Sequence, residues 1–482
     1  MAKPATLELW ADADHVATIT HDARLDSWRL IYTQTWRDKP GSFALSPSLP
    51  LLPGTRDEPE YEAGAVKRFL ENLLPEGHAL DAVAASRHMA KNNVFGLIRM
   101  IGAETTGAFR ILASDAPNQA VSESTPRRVT SEELSTRIAS KSSQPLIEWD
   151  GKIRMSVAGY QEKLPIYIHQ SNSRPEELFM FLPDHPLASS HILKPTPSEI
   201  EHMVVNEHFC MSLARALGLP AAEVALLRVP QPVLSVTRFD RRIIPDQSLA
   251  LSAECLPSGE RLRRIERLHV IDACQAYDFP VSLKYERNFG SGRDVAHIRD
   301  GMSLPRLFKI ARQYLVAPAT GKRILTQWVL FQLLIGNYDA HGKNYSFHVT
   351  PSGLQPAPWY DLVSVVQYPR FMSEFAMAIG DAFTLKDISA LELAQFAVSC
   401  DLRPTFLARE ASRLSAKASE LTQPLLDSMP YDAQERRFVQ EIVEFVQRQA
   451  GWLAHTAELA AQVSADMLNP FDPTLDEPVS AP

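Results

Sequence analysis

The rhythm of apolar and polar positions changes along the chain. Over residues 6–52, short runs rich in aromatic and β-branched residues, such as Trp28-Arg29-Leu30-Ile31-Tyr32-Thr33, are broken by Asp, Gly and Pro clusters. This is the chemistry of strands and turns. Over 66–74 and 94–101 the apolar residues instead recur at helical spacing. A small α+β subdomain is therefore expected over residues 1–113. Residues 114–130 are rich in Ser, Thr, Pro and Ala without a period, the composition of a surface linker. Strand candidates at 152–157, 164–169, 178–182, 191–194 and 234–239, with one strong helix among them starting near Pro197, predict a β-rich lobe over 131–268. Helices then dominate over 269–468, with expected segments at 305–315, 322–335 and 391–398 and a long one over 433–467. The acidic, Pro-containing tail, 469–482, is expected to fray. The chain reads as α+β, a sheet-rich part followed by a helical part, with no internal repeat.

Composition narrows the functional classes. With 45% hydrophobic and 22% charged residues, the chain is an ordinary globular protein and not a disordered one. A formal net charge of −8 supplies no global basic field to hold it on nucleic acid or an anionic membrane, so DNA contact would need a local patch or a partner. Cys210, Cys255, Cys274 and Cys400 are widely spaced, as reduced thiols of a cytoplasmic protein are. Acidic residues interrupt the N-terminus where a signal peptide needs an apolar run. The most apolar stretch, 324–335, contains Gln327 and Gln332 and falls short of the about 20 residues that span a bilayer. It is expected to be a core helix.

That helix leads into Gly336-Asn337-Tyr338-Asp339-Ala340-His341-Gly342-Lys343-Asn344. Asp339 and Asn344 have the D-x-x-x-x-N spacing of a kinase catalytic loop, in which the Asp accepts the substrate hydroxyl proton and the Asn holds magnesium. A helix C-terminus finished by Gly and Asn would carry some of the same residues. Further on, Asp361 stands in Pro358-Trp359-Tyr360-Asp361-Leu362-Val363, and a carboxylate in such apolar surroundings is costly unless it is paired or holds a cation. Residues 345–350 have strand composition and Pro351-Ser352-Gly353 is a turn, so a hairpin would bring Asp361 back beside Asn344. Capping of the following segment by Asp361 is the plainer alternative. Lys194 ends an apolar strand, and Glu207 falls within the apolar stripe of the next helix, which predicts a strand-lysine to helix-glutamate ion pair unless Glu207 only borders the stripe. Ser156-Val157-Ala158-Gly159, between two strand candidates, is placed to cover phosphates, although it matches neither generic phosphate-loop pattern and would also serve as a plain hairpin loop.

Taken in order, Ser156 to Lys163, Lys194, the pair Asn206-Glu207, Arg238-Phe239-Asp240-Arg241-Arg242, Cys274-Gln275, the Asp339–Asn344 loop and Tyr360-Asp361 resemble the HipA family of toxin kinases over nearly the whole chain. The resemblance implies a protein-kinase-like bilobal fold and an ATP- and Mg2+-dependent Ser/Thr kinase. By it, Asp339 is the catalytic base, Asn344 and Asp361 are magnesium ligands, and Lys194 contacts phosphate. Ser156, Val157, Ala158, Gly159, His341, Lys343, Asn344, Tyr360 and Asp361 line the nucleotide, and Ser156 is also the residue phosphorylated by the enzyme itself. The adenine contact falls to the backbone near 269–272. The implied partners are a HipB-like DNA-binding antitoxin, which brings the DNA contact, and a protein substrate of the aminoacyl-tRNA synthetase kind; no membrane is implied.

Three other readings compete. A small-molecule or lipid kinase would share the phosphoryl-transfer parts, with Ser156 favouring a protein acceptor. A catalytically silent antitoxin-binding scaffold would not need Lys194, Asp339, Asn344 and Asp361 together. A metal hydrolase built on His341 and His348 lacks the HxxxH or HxxEH spacing.

Overall fold

The computed structural model describes residues 5–51, 61, 64–86, 88–114, 126–140, 146, 148–150, 152–153, 162–170, 178–184, 187–197, 199–246, 256, 260–370 and 373–468. The Ser156–Gly159 loop, Cys255, most of the 114–130 segment and the acidic tail lie outside these residues. The fold is α+β, and the chain divides into two compact units. One holds the chain up to Val204 with Ala222–Val281 and Ser346–Ala357, and the other holds Val205–Ala221, Ser282–Tyr345 and the chain from Pro358.

In the first unit, β1 (Ala5–Ala11), β2 (Asp14–Asp22), β3 (Ser27–Tyr32) and β4 (Phe109–Ala113) form an antiparallel sheet ordered β3-β2-β1-β4. Its period of two is visible in β1, where Leu7 and Leu9 are fully buried between partly exposed neighbours. Helices α1 (Gln34–Arg37), α2 (Ala65–Glu71), α3 (Gly77–Ser86) and α4 (Val94–Ile101) lie between the third and fourth strands in sequence. Asn93 caps α4 by accepting from the Gly96 N–H.

A second sheet combines β5 (Arg128–Val129), β8 (Leu164–Gln170), β9 (Leu178–Phe181), β10 (His191–Pro195), β11 (Val224–Val229) and β12 (Gln231–Thr237), in the order β11-β12-β10-β8-β9-β5; β6 (Glu148–Trp149) and β7 (Lys152–Ile153) make a separate hairpin. Leu164, Ile166, Met180, Leu182 and Leu193 pack on one face with Leu134 and Ile138 of α5 (Ser131–Ala139). Tyr167, Phe179 and Phe181 pack on the other with Leu187, Leu262 and Ile265. A strand apolar on both faces reads as a continuous run, as β8 does. Two shorter pairings complete this unit. One joins β13 (Arg241–Ile243) to β14 (Ile265–Arg267), and the other sets β15 (Val270–Asp272) beside the hairpin of β16 (Ser346–Thr350) and β17 (Gly353–Pro356).

The Arg238–Arg242 run lies in a buried charge cluster of this unit. Arg238 donates to Asp240 Oδ2 at 2.6 Å, to Glu104 Oε1 at 3.2 Å and to Ser189 Oγ at 2.9 Å. Arg241 reaches Asp240 Oδ2 at 2.8 Å and Glu104 Oε1 at 3.2 Å, and Arg267 also pairs with Glu104. Asp240 in turn accepts from the Gly107 N–H at 2.8 Å. Nearby, His269 is buried among Phe43, Phe69 and Phe109, with Nε2 2.8 Å from the Leu45 carbonyl. Gln275 of α7 (Ala273–Tyr277) completes a capping box with Asp272 and donates to the Phe69 carbonyl at 3.2 Å.

The second unit is helical: α6 (Met203–Ala216, all but its first two residues), α8 (Leu304–Tyr314), α9 (Pro318–Ile335), α10 (Ala390–Ser399), α11 (Pro404–Ser428) and α12 (Ala433–Ala460). Every residue of α9 from Leu325 to Ile335 is buried, as its lack of charge in this span requires. The helix expected over 433–467 stops at Ala460, and a separate 3-10 turn covers Ala465–Met467. The strand expected over 234–239 ends at Thr237, where the charge cluster begins. The helix expected to start near Pro197 starts at Met203.

Candidate functional site

The apolar helix α9 fixes the position of the Asp339 loop. Gly336 ends it with φ +64°, and its N–H closes the last turn on the Gln332 carbonyl. A Cβ there would meet Val366 Cγ1 at 2.7 Å and the Phe445 ring at 2.8 Å, so both conformation and space demand glycine. Asn337 then ties the loop together. Its Nδ2 donates to Gln332 Oε1 at 2.9 Å and to the Asp361 carbonyl at 3.3 Å, while its Oδ1 accepts the Asp339 N–H at 3.1 Å. Asn344 donates its Nδ2 to the Asp339 carbonyl at 2.8 Å.

The Tyr360-Asp361 segment lies against this loop. Tyr360 donates its hydroxyl to the Lys343 carbonyl at 2.5 Å. Asp361 is half-buried and has φ +52°. Aspartate tolerates this left-handed backbone better than most residues, yet it still stores strain of roughly 1–3 kcal/mol, of a kind that clusters at functional sites. The chain after Asp361 is held by Asn206 of α6, which donates Nδ2 to the Ser364 carbonyl at 3.1 Å and accepts the Ser364 N–H at 2.8 Å. Its neighbour Glu207 is buried, 2% exposed. In the first unit, Lys194 lies on β10 opposite Leu234 and is 6% exposed.

His341 is buried, and its pKa lies well below the ordinary imidazole value. Burial is the main cause, Lys284 and Lys343 add to it, and Asp361 partly opposes it. The ring is therefore neutral at pH 7, with Nδ1 buried and without a hydrogen-bond partner. A buried orphan beside a half-buried carboxylate is a place for a polar ligand.

Two neighbours of the loop went unseen in the sequence. Tyr285 donates its hydroxyl to Asp339 Oδ1 at 2.8 Å and sets its ring edge-on to His341 at 5.1 Å. The Lys284 carbonyl accepts the Gly342 N–H at 2.9 Å. Gly301 lies against the same segment, where a Cβ would meet the Tyr285 carbonyl oxygen at 1.8 Å. Nothing local in Leu283-Lys284-Tyr285-Glu286 signals the contact; only the fold reveals it. The Tyr285→Phe variant removes one donor to the Asp339 carboxylate while keeping the ring. Phosphoryl transfer is expected to fall by less than about tenfold, and the acid limb of its pH–rate profile to move to higher pH, since losing a donor to the charged form disfavours ionisation. An unmoved profile would mean that the hydroxyl does not bear on Asp339.

The donor set fits a divalent ion carried on phosphates. Asn344 Oδ1 and the Asp361 carboxylate are hard oxygen donors, and magnesium is usually held by one or two such groups together with phosphate oxygens. Among the described residues no group of three or more His, Cys, Asp and Glu side chains is arranged to hold a metal by protein ligands alone.

Comparison with known proteins identifies the family. Residues 7–112 match the HipA N-terminal domain and residues 155–422 the HipA-like C-terminal domain. The serine/threonine-protein kinase toxin HipA of Shewanella oneidensis is 39% identical over 440 residues, covering 91% of this chain and 93% of its own. A Sinorhizobium fredii protein, Y4mE, is 28% identical over 425 residues, 87% of this chain and 92% of its own. A solved Shewanella oneidensis structure, described as HipA with HipB and operator DNA, superposes with a TM-score of 0.80 at 36% identity, covering 95% of this chain and all of that one. With both domains matched in order and a relative of this identity aligned along nearly its whole length, the chain belongs to the HipA family of serine/threonine kinase toxins.

Proposed function

We propose that this chain is the toxin of a toxin–antitoxin module and transfers the γ-phosphoryl group of ATP to a serine or threonine of a protein. The carrying observation is the built Asp339 loop, in which a buried helix end and Asn337 hold the backbone of Asp339 and Tyr285 donates to its half-buried carboxylate. Asp339 accepts the proton of the acceptor hydroxyl. Asn344 and Asp361 hold magnesium, and His341, Lys343 and Tyr360 flank the nucleotide. ATP with magnesium supplies the phosphoryl group and neutralises part of its charge. Lys194 keeps the phosphate contact that the family resemblance gives it. The Ser156–Gly159 loop covers the phosphates, and phosphate on Ser156 switches the enzyme off, because about −1.5 to −2 added charges repel the nucleotide. A HipB-like antitoxin binds the chain and supplies the grip on DNA, in keeping with the net charge of −8. The substrate is of the aminoacyl-tRNA synthetase kind.

A catalytically silent scaffold is disfavoured by Asp361, whose left-handed backbone is a costly feature without a ligand to hold. Incubation with labelled ATP, Mg2+ and a cell lysate tests the proposal. Phosphate is expected on one or a few lysate proteins and, by mass spectrometry, on Ser156, with none on Ser156 of the Asp339→Asn protein. Nucleotide binding without transfer to any protein would leave the scaffold reading in its place.

A further inference from the structure

A cleft of about 300 Å³ runs beside the Asp339 loop, lined among others by Tyr285, Arg287, Arg370, Glu374, Phe375 and Phe383. Its walls are tied to the base and to the residue before it. Tyr285 is the residue whose hydroxyl donates to Asp339 Oδ1. On the opposite wall, the Ala376 N–H donates to the Tyr338 carbonyl at 2.8 Å, and the Phe375 ring meets Tyr338 edge-on at 4.9 Å. The two walls join through the Glu286 N–H, which donates to the Ala376 carbonyl at 2.9 Å. Buried Glu286 secures that junction by accepting from Arg299 Nε at 2.6 Å and from the Ala378 N–H at 2.8 Å.

The cleft has a distinct chemistry. Arg287 stacks its guanidinium on the Phe383 ring at 3.6 Å, which fixes the plane of its donors. Its Nε is buried without a hydrogen-bond partner, and its Nη1 stands 3.7 Å from Glu374 Oε2, an ion pair too long for a hydrogen bond. Arg370 is exposed and has no ion-pair partner among the described residues. Two cations thus face one carboxylate. Phe289, next to the lining residue Gly290, leaves 61% of its surface in water.

We propose that this cleft is the acceptor-peptide site, and that Arg287 and Arg370 take an acidic side chain close to the phosphorylated serine or threonine of the substrate protein. This rests on the kinase reading above. An acceptor hydroxyl must come within hydrogen-bond reach of Asp339, so the polypeptide that carries it crosses the surface next to the base, where the cleft opens. A cleft of this size holds one or two side chains. A peptide carboxylate can engage the oriented Arg287 fork bidentately. It would displace only a loose, partly exposed Glu374 pair, a kind that contributes little to stability. Phe289 offers apolar surface for the same segment to cover.

The test uses two fluorescein-labelled Ala/Gly peptides, each with one serine flanked by glutamates or by lysines. Phosphorylation is followed with Mg-ATP, and binding to the Asp339→Asn full-length protein by anisotropy. The wild-type chain is expected to favour the glutamate peptide by roughly tenfold, the scale of one net charge-assisted contact. Arg287→Ala/Arg370→Ala should abolish the preference, and Arg370→Glu, at an exposed position that does not threaten the fold, should reverse it. Mg-ATP affinity should be unchanged in all of them. Equal handling of the two peptides by the wild-type chain, or a preference that survives Arg370→Glu, overturns the proposal. Failure to bind Mg-ATP, or to place phosphate on either peptide or on any lysate protein, overturns the kinase reading instead.

Discussion

Replacing Asp339 by asparagine is expected to lower phosphoryl transfer by at least roughly 10²-fold while the protein stays folded and binds ATP. The geometry makes this substitution a clean one. The loop is held through the Asp339 N–H, donated to Asn337 Oδ1, and through the Asp339 carbonyl, which accepts from Asn344, and neither belongs to the side chain. An asparagine can still accept the Tyr285 hydroxyl on its own Oδ1, so the site keeps its shape and loses only the proton acceptor. Single-turnover transfer from labelled ATP, read beside nucleotide affinity and a thermal melt, separates the three effects. Transfer at the wild-type rate would remove Asp339 from the role of base. Loss of ATP binding would show that its charge serves the nucleotide and not the hydroxyl.

Features encoded locally were legible before the structure. The helix over 94–101 follows directly from the period of its apolar residues, the strands at 164–170 and 191–195 from their short apolar runs, and the turn at Pro351-Ser352-Gly353 announces the β16–β17 hairpin. The helix Pro404–Ser428 was not singled out. Its start is marked by Pro404 in the first turn, but Pro424 inside it is a residue that normally argues against helix. Extended helix ends were overrun for a related reason, since 461–467 keeps a helical composition after the packing partners of α12 have run out. Above all, what depends on distant pairing could not be read. Tyr285 and Asp339 are far apart in sequence, as are Asn206 and Ser364, and Glu104 meets Arg238 and Arg241 across most of the first unit. The compact units are themselves discontinuous in sequence, with the β16–β17 hairpin grouped with the sheets although helical segments flank it. A linear reading of composition has no signal for such grouping. Arg238–Arg242 illustrates the point: it stood out as a family motif without a role, and its role became visible only with the buried carboxylates around it.

That cluster supports the largest stability effect expected in this protein. Glu104 is fully enclosed, and burial alone would raise its pKa, but the guanidinium groups of Arg267, Arg241 and Arg238, with a hydrogen bond from Ser189, hold its carboxyl down to about 2. Asp240 is also held far below the usual carboxylate range: burial opposes this, and Arg238 and Arg241 outweigh it. Glu104→Ala would leave Arg238 and Arg241 with Asp240 alone and take from Arg267 its carboxylate partner. Breaking a buried ionic group by removing one partner typically costs about 3–5 kcal/mol, because the charges left behind remain dehydrated. The urea midpoint should drop accordingly. A folded-state pKa below the unfolded value of 4.5 also means that the unfolded chain binds the proton more readily. The stabilisation is thus complete above the unfolded value and is lost as pH falls from about 4.5 towards about 2. Wild-type protein should therefore unfold in acid over that window, while Glu104→Ala, already without the carboxylate, should be less stable at pH 7 and lose less on acidification. A variant as stable as wild type at pH 7, with an unchanged acid transition, would show that Asp240 and backbone carbonyls such as those of Thr105 and Gly107, which already accept from these arginines at 2.9–3.1 Å, suffice to hold them.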